Sequence, residues 1–254
     1  MAGNDRSLLT YLPRETMAPD SLSRFCERVE TTSRITALAE SLGPKFLQRR
    51  SGPLRDMILR VHRQRGAVSI LDVGGLEAYW DIFPVEFLQE HRVRIVLLNL
   101  EPDTLPIKQP EVFSASVGDG CALTFSDGSF DICHSNSVIE HVGNWRRKTA
   151  FAREVSRVAP CYFVQTPNFW FPWEPHFSMP FFHWLPEPVR LWLAFHKSLA
   201  WTKRVATIDA GMEVVEHASL LTRPMMAHLF PDGRIISEKL GGITKSFIAV
   251  RESL

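Results

Sequence analysis

Short apolar runs that end in glycine or polar residues alternate with helical segments through the middle of the chain. The first run, Val68 to Val73, ends at Gly74-Gly75, and the second, Val93 to Leu98, ends at Asn99. Continuous apolar runs of this length are typical of parallel strands buried on both faces. Strands that alternate with helices at this spacing form a parallel sheet with helices on both faces. The alternation therefore predicts an α/β fold.

The other predicted elements continue this order along the chain. We expect further strands at residues 112–117, 130–134, 161–164, 234–238 and 245–251, and helices at residues 54–65, 78–90 and 145–158. The two closing strands join around Gly241-Gly242, a pair that marks a turn. The complete prediction is a Rossmann-like, mostly parallel seven-stranded sheet with helices on both faces.

The 254 residues suit one large domain better than two independent ones. Residues 169–201 hold 11 of the 27 aromatic residues and five of the seven tryptophans, interleaved with prolines. We interpret this tract as an aromatic insertion before the last two strands. The expected single domain has four parts: N-terminal helices in residues 1–65, a core in 66–168, an insertion in 169–231 and closing strands in 232–254.

The charge balance and the cysteines restrict the class of partner and the compartment. Lys plus Arg (29) nearly equals Asp plus Glu (28), so no overall field attracts a polyanion and we expect no nucleic-acid partner. The four cysteines are scattered, which favours a reducing compartment. The first residues lack the apolar stretch of a secretory signal, and no apolar run is long enough to span a bilayer. We predict a cytoplasmic protein.

The loop after the first strand is acidic. Residues 66–90 contain five carboxylates and no Lys or Arg. Ligands of open α/β sheets bind beyond the carboxyl ends of the strands, where Asp72, Gly74 and Gly75 lie. Phosphates are usually met by backbone donors and cations, whereas this loop suits a ligand with positively charged sulfonium and ammonium groups. The alternative is that Glu77 and Asp81 only complement a helix N-terminus.

Polar residues follow the other strand ends at spacings that suit a nucleoside. A polar side chain about 25 residues after the glycine turn is placed to hold ribose hydroxyls. The candidates at the ends of strands two, three and four are Asn99, Glu101, Asp119, Gly120, Cys121, Ser135 and Asn136. Each of these alone is also typical of a plain turn, so the prediction depends on their common order.

Four segments in this order resemble a known family. They are Ile70–Gly75, Gly118–Phe125, Asp127–Ile132 and Ser135–Val142. Together they resemble class I S-adenosylmethionine-dependent methyltransferases, in the ubiquinone-biosynthesis-like (methyltransferase type 11) branch, over residues 66–168. The resemblance implies an enzyme with S-adenosylmethionine as its cofactor.

The resemblance also implies a role for each cofactor residue. Asp72, Gly74 and Gly75 would cradle the methionine end. Asn99 stands where the family usually has an acidic ribose ligand, with Glu101 as its substitute. Asp119 would accept from the adenine amino group, and the backbone of Cys121 would donate to the ring.

Two other functions stay open. Leu76 and Ala78 replace the family's later glycines, and Val158-Ala159-Pro160-Cys161 replaces its usual Pro-Gly-Gly turn. These departures keep open a non-catalytic scaffold or binding protein on the same fold. A nicotinamide-dependent dehydrogenase or epimerase is the other alternative. The missing third glycine and the acidic loop count against it.

Candidate catalytic residues follow strand four and lie in the insertion. Methyl transfer is an in-line displacement, so the protein aligns the acceptor, excludes water and, for a hydroxyl acceptor, removes a proton. We assign this role to Glu140, His141, Glu174 and His176, with capping and packing as the alternative. Gln165–Asn168, after the fifth predicted strand, is a further candidate segment. We assign no metal site, because the spacing of Glu174, His176 and His183 is not typical of one.

The aromatic tract allows three interpretations. It is a lid over an apolar acceptor, a surface that contacts a membrane, or a second small core. The first two predict a small-molecule acceptor of lipid or glycan-lipid character and a peripheral membrane contact.

Overall fold

The computed structural model describes residues 52–101, 107–174, 176–177, 179–199 and 204–252. The first 51 residues of the N-terminal helical part expected at residues 1–65 lie outside these ranges. The first described helix, α1, spans residues 52–65 and buries Leu54, Met57, Ile58 and Val61. This helical spacing places one apolar face of α1 against the sheet.

Seven of the described strands form the predicted sheet. Their order across it is β3-β2-β1-β4-β5-β9-β8, with β1 to β5 parallel and β9 antiparallel to both β5 and β8. Their bounds are β1 Val68–Val73, β2 Val93–Asn99, β3 Phe113–Val117, β4 Ile132–Asn136, β5 Cys161–Pro167, β8 Arg234–Leu240 and β9 Ile243–Arg251. The fold class predicted from the sequence is confirmed. Strand β5 is three residues longer than expected.

The helices cover both faces of the sheet. After α1 they are α2 Val85–Glu90, α3 Trp145–Val158, α4 Glu187–His196, α5 Ile208–Glu216 and α6 Arg223–Leu229, with 3-10 helices at Glu77–Ile82 and Phe182–Trp184. Helices α1 and α2 pack against one face of the sheet and form one buried apolar layer with it. Helices α3 and α6 pack against the opposite face and form the other layer. Burial on both faces explains the continuous apolar runs of the parallel strands.

The single helix predicted at residues 78–90 is wrong. The chain forms a 3-10 helix at Glu77–Ile82, becomes extended at Phe83 and restarts as α2 after Pro84. Proline lacks an amide hydrogen and disfavours the helical conformation of the residue before it. Pro84 therefore breaks the helix and serves as the N-cap of the next one.

The insertion holds a short hairpin and the helices α4, α5 and α6. Strands β6 (Trp173–Glu174) and β7 (Met179–Pro180) pair antiparallel, and α4 packs against α5. A separate apolar cluster holds these elements together, with Phe177, Phe182, Leu193, Ala194, Leu199 and Val214 as its buried members. This cluster packs the hairpin against α4 and α5.

Candidate functional site

Asp72 lies at the end of β1 and is fully engaged within the protein. Its Oδ2 accepts a hydrogen bond from Trp80 Nε1 at 2.8 Å, and its Oδ1 lies 2.6 Å from His134 Nδ1. The Asp72 side chain is 1% exposed. A buried carboxylate is stable only when its oxygens are paired. Asp72 therefore organises the loop from inside, and any role towards a ligand is added to that.

The two glycines after β1 are required by close contacts. Gly74 has φ +71°, and a Cβ atom added there would lie 2.4 Å from Val138 Cγ2. A Cβ atom on Gly75 would lie 2.1 Å from Asp72 Oδ2. Gly74 thus provides the left-handed turn. Gly75 provides the space for the buried carboxylate.

A small cavity lies where β1 and β2 end. It has a volume of about 10 Å³ and is lined by Gly75, Leu76, Glu77, Leu97, Asn99, Ile107 and Ala115. The buried Leu76 occupies the position of the missing glycine, and Asn99 Nδ2 donates to the Gly75 carbonyl at 2.9 Å. A space of this size holds about one water molecule.

Glu77 is a residue of this cavity that the sequence analysis did not assign to the site. Its Oε2 accepts from the Lys108 amide at 2.8 Å, whereas its Oε1 is buried and has no hydrogen-bond partner among the described residues. Glu101 lies two residues after the end of β2 and is exposed. The only sequence signal for Glu77 was the acidity of the loop.

The loop after β3 brings Asp119, Gly120 and Cys121 to the same edge of the sheet. Asp119 accepts from the Cys121 amide at 2.9 Å and from Arg147 Nη2 at 3.0 and 2.9 Å. Partial burial favours a higher pKa for Asp119, but these hydrogen bonds outweigh it and hold the pKa below its usual value. Gly120 lies where a Cβ atom would be 2.7 Å from Val73 Cγ1.

Two further assigned residues lie at the end of β4. Ser135 is buried and its Oγ donates to the Val73 carbonyl at 3.0 Å, which ties β4 to β1. Asn136 is the last residue of β4 and is half-buried.

The Cys121 thiol, in the loop after β3, is protonated. Burial raises the pKa of this thiol to about 11, so it is neutral at physiological pH.

The four residues assigned to catalysis come together beyond the ends of β4 and β5. Glu140 and His141 follow β4 after a turn in which Ser137 has φ 55°. Glu174 belongs to β6, and His176 lies in the hairpin turn. His176 Nδ1 lies 2.6 Å from Glu174 Oε1, and the rings of His141 and His176 are 4.6 Å apart. We call these four residues the Glu-His cluster.

Two further residues complete the surroundings of the cluster. Thr166 Oγ1, on β5, donates to Glu140 Oε2 at 2.9 Å. The carbonyl of His217, at the end of α5, lies 2.8 Å from His141 Nδ1. Thr166 belongs to the candidate segment Gln165–Asn168 of the sequence analysis. Nothing in the sequence near His217 indicated a site.

Burial controls the protonation of the cluster. It raises the pKa of Glu140, and His176, Thr166 and Lys148 only partly oppose it. It lowers the pKa of His141 and of His217 to about 4, so both rings are neutral at pH 7. For His176 burial also favours a lower pKa, but the hydrogen bond and charge of Glu174, together with Glu140, outweigh it and raise the pKa.

Two other histidines of the tract stay outside the cluster. His183 Nε2 bonds to the Phe169 carbonyl at 2.7 Å, and His196 is exposed with its ring stacked on Trp192. Their packing roles agree with the geometry. The set of Glu174, His176 and His183 considered from the sequence is not the one that converges. Among the described residues, the set that does converge is Glu140, His141 and His176.

The central part of the chain matches a known protein family. Residues 82–160 match the family model described as a methyltransferase domain. None of the curated proteins compared with the chain matches it. Together with the strand order, the family match confirms the predicted class of enzyme.

Several solved structures are similar to the chain at low sequence identity. A S-adenosylmethionine-dependent methyltransferase from Methanosarcina mazei is 12% identical, with a TM-score of 0.42 and coverage of 72% of this chain and 91% of that one. The PH0226 protein from Pyrococcus horikoshii OT3 is 14% identical, with a TM-score of 0.46 and coverage of 88% and 93%. The N-terminal domain of EvdMO1, crystallised with SAH and D-fucose, is 15% identical, with a TM-score of 0.47 and coverage of 82% and 83%.

Proposed function

We propose that this chain, a class I methyltransferase that uses S-adenosylmethionine, methylates a hydroxyl group of a small acceptor molecule of lipid or glycan-lipid character. The observation that carries this proposal is the Glu-His cluster beyond the carboxyl ends of β4 and β5. In an open α/β sheet this edge is where ligands bind. A buried group of carboxylates and imidazoles suits an acceptor that must lose a proton.

The described residues fit the cofactor by the chemistry of their donors and acceptors. Glu77 Oε1 is a buried acceptor without a partner among the described residues, and it lies beside Asn99 in the cavity at the ends of β1 and β2. Ribose hydroxyls donate to such oxygens. We assign Glu77 and Asn99 to the ribose, Asp119 and the Cys121 amide to the adenine, and the Gly74-Gly75 loop to the methionine end. The bound cofactor supplies a methyl carbon activated by the sulfonium sulfur.

The remaining assigned residues support this arrangement around the loop. Asp72 holds the loop from inside, Gly120 brings the β3 loop against β1, and Ser135 and Asn136 lie at the neighbouring strand end. Glu101 lies on the exposed side of the same edge. Leu76 must move to admit a nucleoside, because the cavity around it has room for about one water molecule.

The Glu-His cluster is arranged to accept the proton of the acceptor. Glu174 Oε1 accepts from His176 Nδ1, which leaves Nε2 of His176 as the basic nitrogen. The Glu174 carboxylate stabilises the imidazolium that forms when Nε2 takes a proton. Glu174 is itself held by the Phe177 amide, which donates to Oε2 at 2.7 Å. His141 and Glu140 complete the surroundings of that nitrogen.

Exposed aromatic residues of the insertion support an apolar acceptor. Trp170, Phe181, Trp184, Val189 and Trp192 are all at least 40% exposed. Exposed aromatic and aliphatic side chains grouped in this way mark surfaces that meet apolar partners. Residues 169–231 would then act as a lid that contacts a membrane surface from the cytoplasmic side. None of the helices in the described part of the chain is long and apolar enough to cross a membrane.

The closed cavity at Leu76 favours a second candidate, a scaffold protein on the same fold. Calorimetry with S-adenosylhomocysteine and transfer of labelled methyl groups from S-adenosylmethionine to lipid and aqueous extracts separate the two. Methyl transfer requires saturable binding and label in the lipid fraction, with turnover lost in His176→Ala and cofactor affinity kept. Binding without label in any fraction would support the scaffold. Label confined to the aqueous fraction would contradict the apolar acceptor.

A further inference from the structure

We propose that Glu140, His141 and His176 bind one first-row divalent cation, with Zn²⁺ as the best match. One ligand atom from each of the three residues lies within 4.8 Å of the others. Two imidazoles and one carboxylate form a known catalytic zinc set that leaves a fourth position open. The sequence analysis considered only the set of Glu174, His176 and His183 and assigned no metal site because of its spacing. His141, which lies 35 residues before His176 along the chain, was not part of that set.

The hydrogen bonds of both histidines already have the form of a metal site. The Nδ1 atom of His141 lies 2.8 Å from the His217 carbonyl, and Nδ1 of His176 lies 2.6 Å from Glu174 Oε1. Both partner oxygens are acceptors, so each Nδ1 carries the proton and each Nε2 carries the lone pair. Metal-binding histidines almost always donate their other nitrogen to a carbonyl or a carboxylate in this way.

Glu140 supplies an independent observation. Glu140 is 1% exposed, and its Oε1 has no hydrogen-bond partner among the described residues. Oε2 is occupied by Thr166 Oγ1 at 2.9 Å. A buried carboxylate oxygen without a partner is costly, and it requires a ligand or an ion to explain it. A cation between Glu140 and the two imidazoles satisfies this oxygen.

The donor set selects the kind of cation. Mg²⁺ and Ca²⁺ prefer oxygen ligands, whereas imidazole nitrogen suits Zn²⁺ and its first-row neighbours. Zinc bonds of about 2.0–2.1 Å place tetrahedral ligand atoms roughly 3.3 Å apart. The three side chains therefore need to close by about 1.5 Å at most. The neighbouring charge that opposes the cation is Lys148, whose Nζ donates to the Gly143 carbonyl.

The open fourth position gives the site a role in the proposed reaction. A hydroxyl of the acceptor at that position would release its proton to water at a lower pH. With the cation bound, Nε2 of His176 is a ligand, so it does not act as the base that we propose for the metal-free cluster. This role rests on the proposed methyl transfer, but the binding of the cation does not.

The test is a calorimetric titration of the untagged full chain, stripped with EDTA, with ZnCl₂ alone. We expect one Zn²⁺ per chain, and at least roughly 100-fold weaker binding in Glu140→Gln and in His176→Ala. His228→Ala is the matched control, because His228 is an exposed histidine on α6, and it should bind like the unaltered chain. Melting temperatures of the EDTA-treated variants establish that each one folds.

Two results would overturn the proposed site. One is that the chain shows no saturable binding of Zn²⁺, and the other is that Glu140→Gln and His176→Ala leave the binding unchanged. The cluster would then be an ion pair of His176 with Glu174 and Glu140 that needs no metal. Titration of the same samples with S-adenosylhomocysteine tests the proposed function separately, since its binding residues lie at the ends of β1, β2 and β3.

Discussion

The Nδ1 atom of His134 lies 2.6 Å from Oδ1 of Asp72, and both side chains are 1% exposed. This pair connects the ends of β1 and β4, whose registers place the two residues side by side. Trp80, on the first 3-10 helix, donates a hydrogen bond to the other oxygen of Asp72. The residue predicted to bind the cofactor therefore also fixes the loop geometry on which the cofactor site depends.

We expect Asp72→Asn to destabilise the fold before any effect on ligand binding is counted. The new amide group places a donor against the donor of either Trp80 or His134. Breaking a buried pair of this kind costs about 3–5 kcal/mol. Urea unfolding measures this loss. Trp80→Phe is the comparison variant. It removes one donor to Asp72 together with part of a buried ring, and it should cost about 1–3 kcal/mol. Equal stability of Asp72→Asn and the unaltered chain would contradict the structural role.

Gly75→Ala should disrupt the glycine loop. The added methyl group would lie 2.1 Å from Oδ2 of Asp72, and two hydrogen bonds, one to each oxygen, hold this carboxylate in place. Overpacking of this kind costs about 1–3 kcal/mol. The matched control is Gly52→Ala in α1, where nothing lies within 4 Å and stability should stay within about 0.5 kcal/mol. Thermal melting of both variants checks this, and similar losses in the two would argue against the contact.

Asp119→Asn should weaken the binding of S-adenosylhomocysteine about tenfold, which corresponds to about 1.4 kcal/mol. Its ion pair with Arg147 is partly exposed, so the melting temperature should change little. Calorimetry measures the affinity. Asp127→Asn is a suitable control, because this exposed carboxylate also pairs with an arginine of α3, Arg157. Unchanged affinity in Asp119→Asn would remove its assignment to the adenine.

The stability of the chain should fall in acid partly through Glu154. Its hydrogen bonds from Arg157 hold its pKa below the usual 4.5, and the Leu123 amide also donates to it at 2.9 Å. The stabilisation is thus complete above about pH 4.5 and is lost as the pH falls through the lowered pKa. Glu154→Gln should lose about 1–2 kcal/mol at pH 7 and show a flatter decline below pH 4.5. Urea midpoints at several pH values test this, and parallel curves would contradict it.

Trp170 and Trp192 test the membrane contact. They are 62% and 54% exposed, and serine at either position removes an apolar ring without disturbing the buried core. We expect Trp170→Ser/Trp192→Ser to lose co-sedimentation with phosphatidylcholine vesicles, whereas Trp145→Ser, at an exposed position on α3, should keep it. Equal co-sedimentation of the unaltered chain, the double variant and Trp145→Ser would rule out a membrane contact through Trp170 and Trp192.

The sheet could be predicted from the sequence because its parallel strands are buried on both faces and thus read as apolar runs. The Phe83-Pro84 break was missed, although proline there was visible, because the flanking residues kept a helical pattern. The residues of the Glu-His cluster were identified one by one. Their meeting was not predictable, because it depends on how the β6–β7 hairpin brings His176 against His141. The carbonyl of His217 takes part through its backbone, which no side-chain pattern reveals.

The path of the chain around β5 has a consequence for the evolution of specificity. The insertion leaves the sheet at Asn168, whose amide donates to the Lys245 carbonyl, and Phe169 donates to the Leu221 carbonyl. These anchors are backbone bonds, so they do not depend on which side chains the tract carries. The apolar cluster of the hairpin, α4 and α5 shares no residue with the two layers on the faces of the sheet, whereas α6 belongs to one of those layers. Related chains can therefore exchange the part of the tract before α6 for another sequence and change the molecule they modify, while the sheet keeps its architecture.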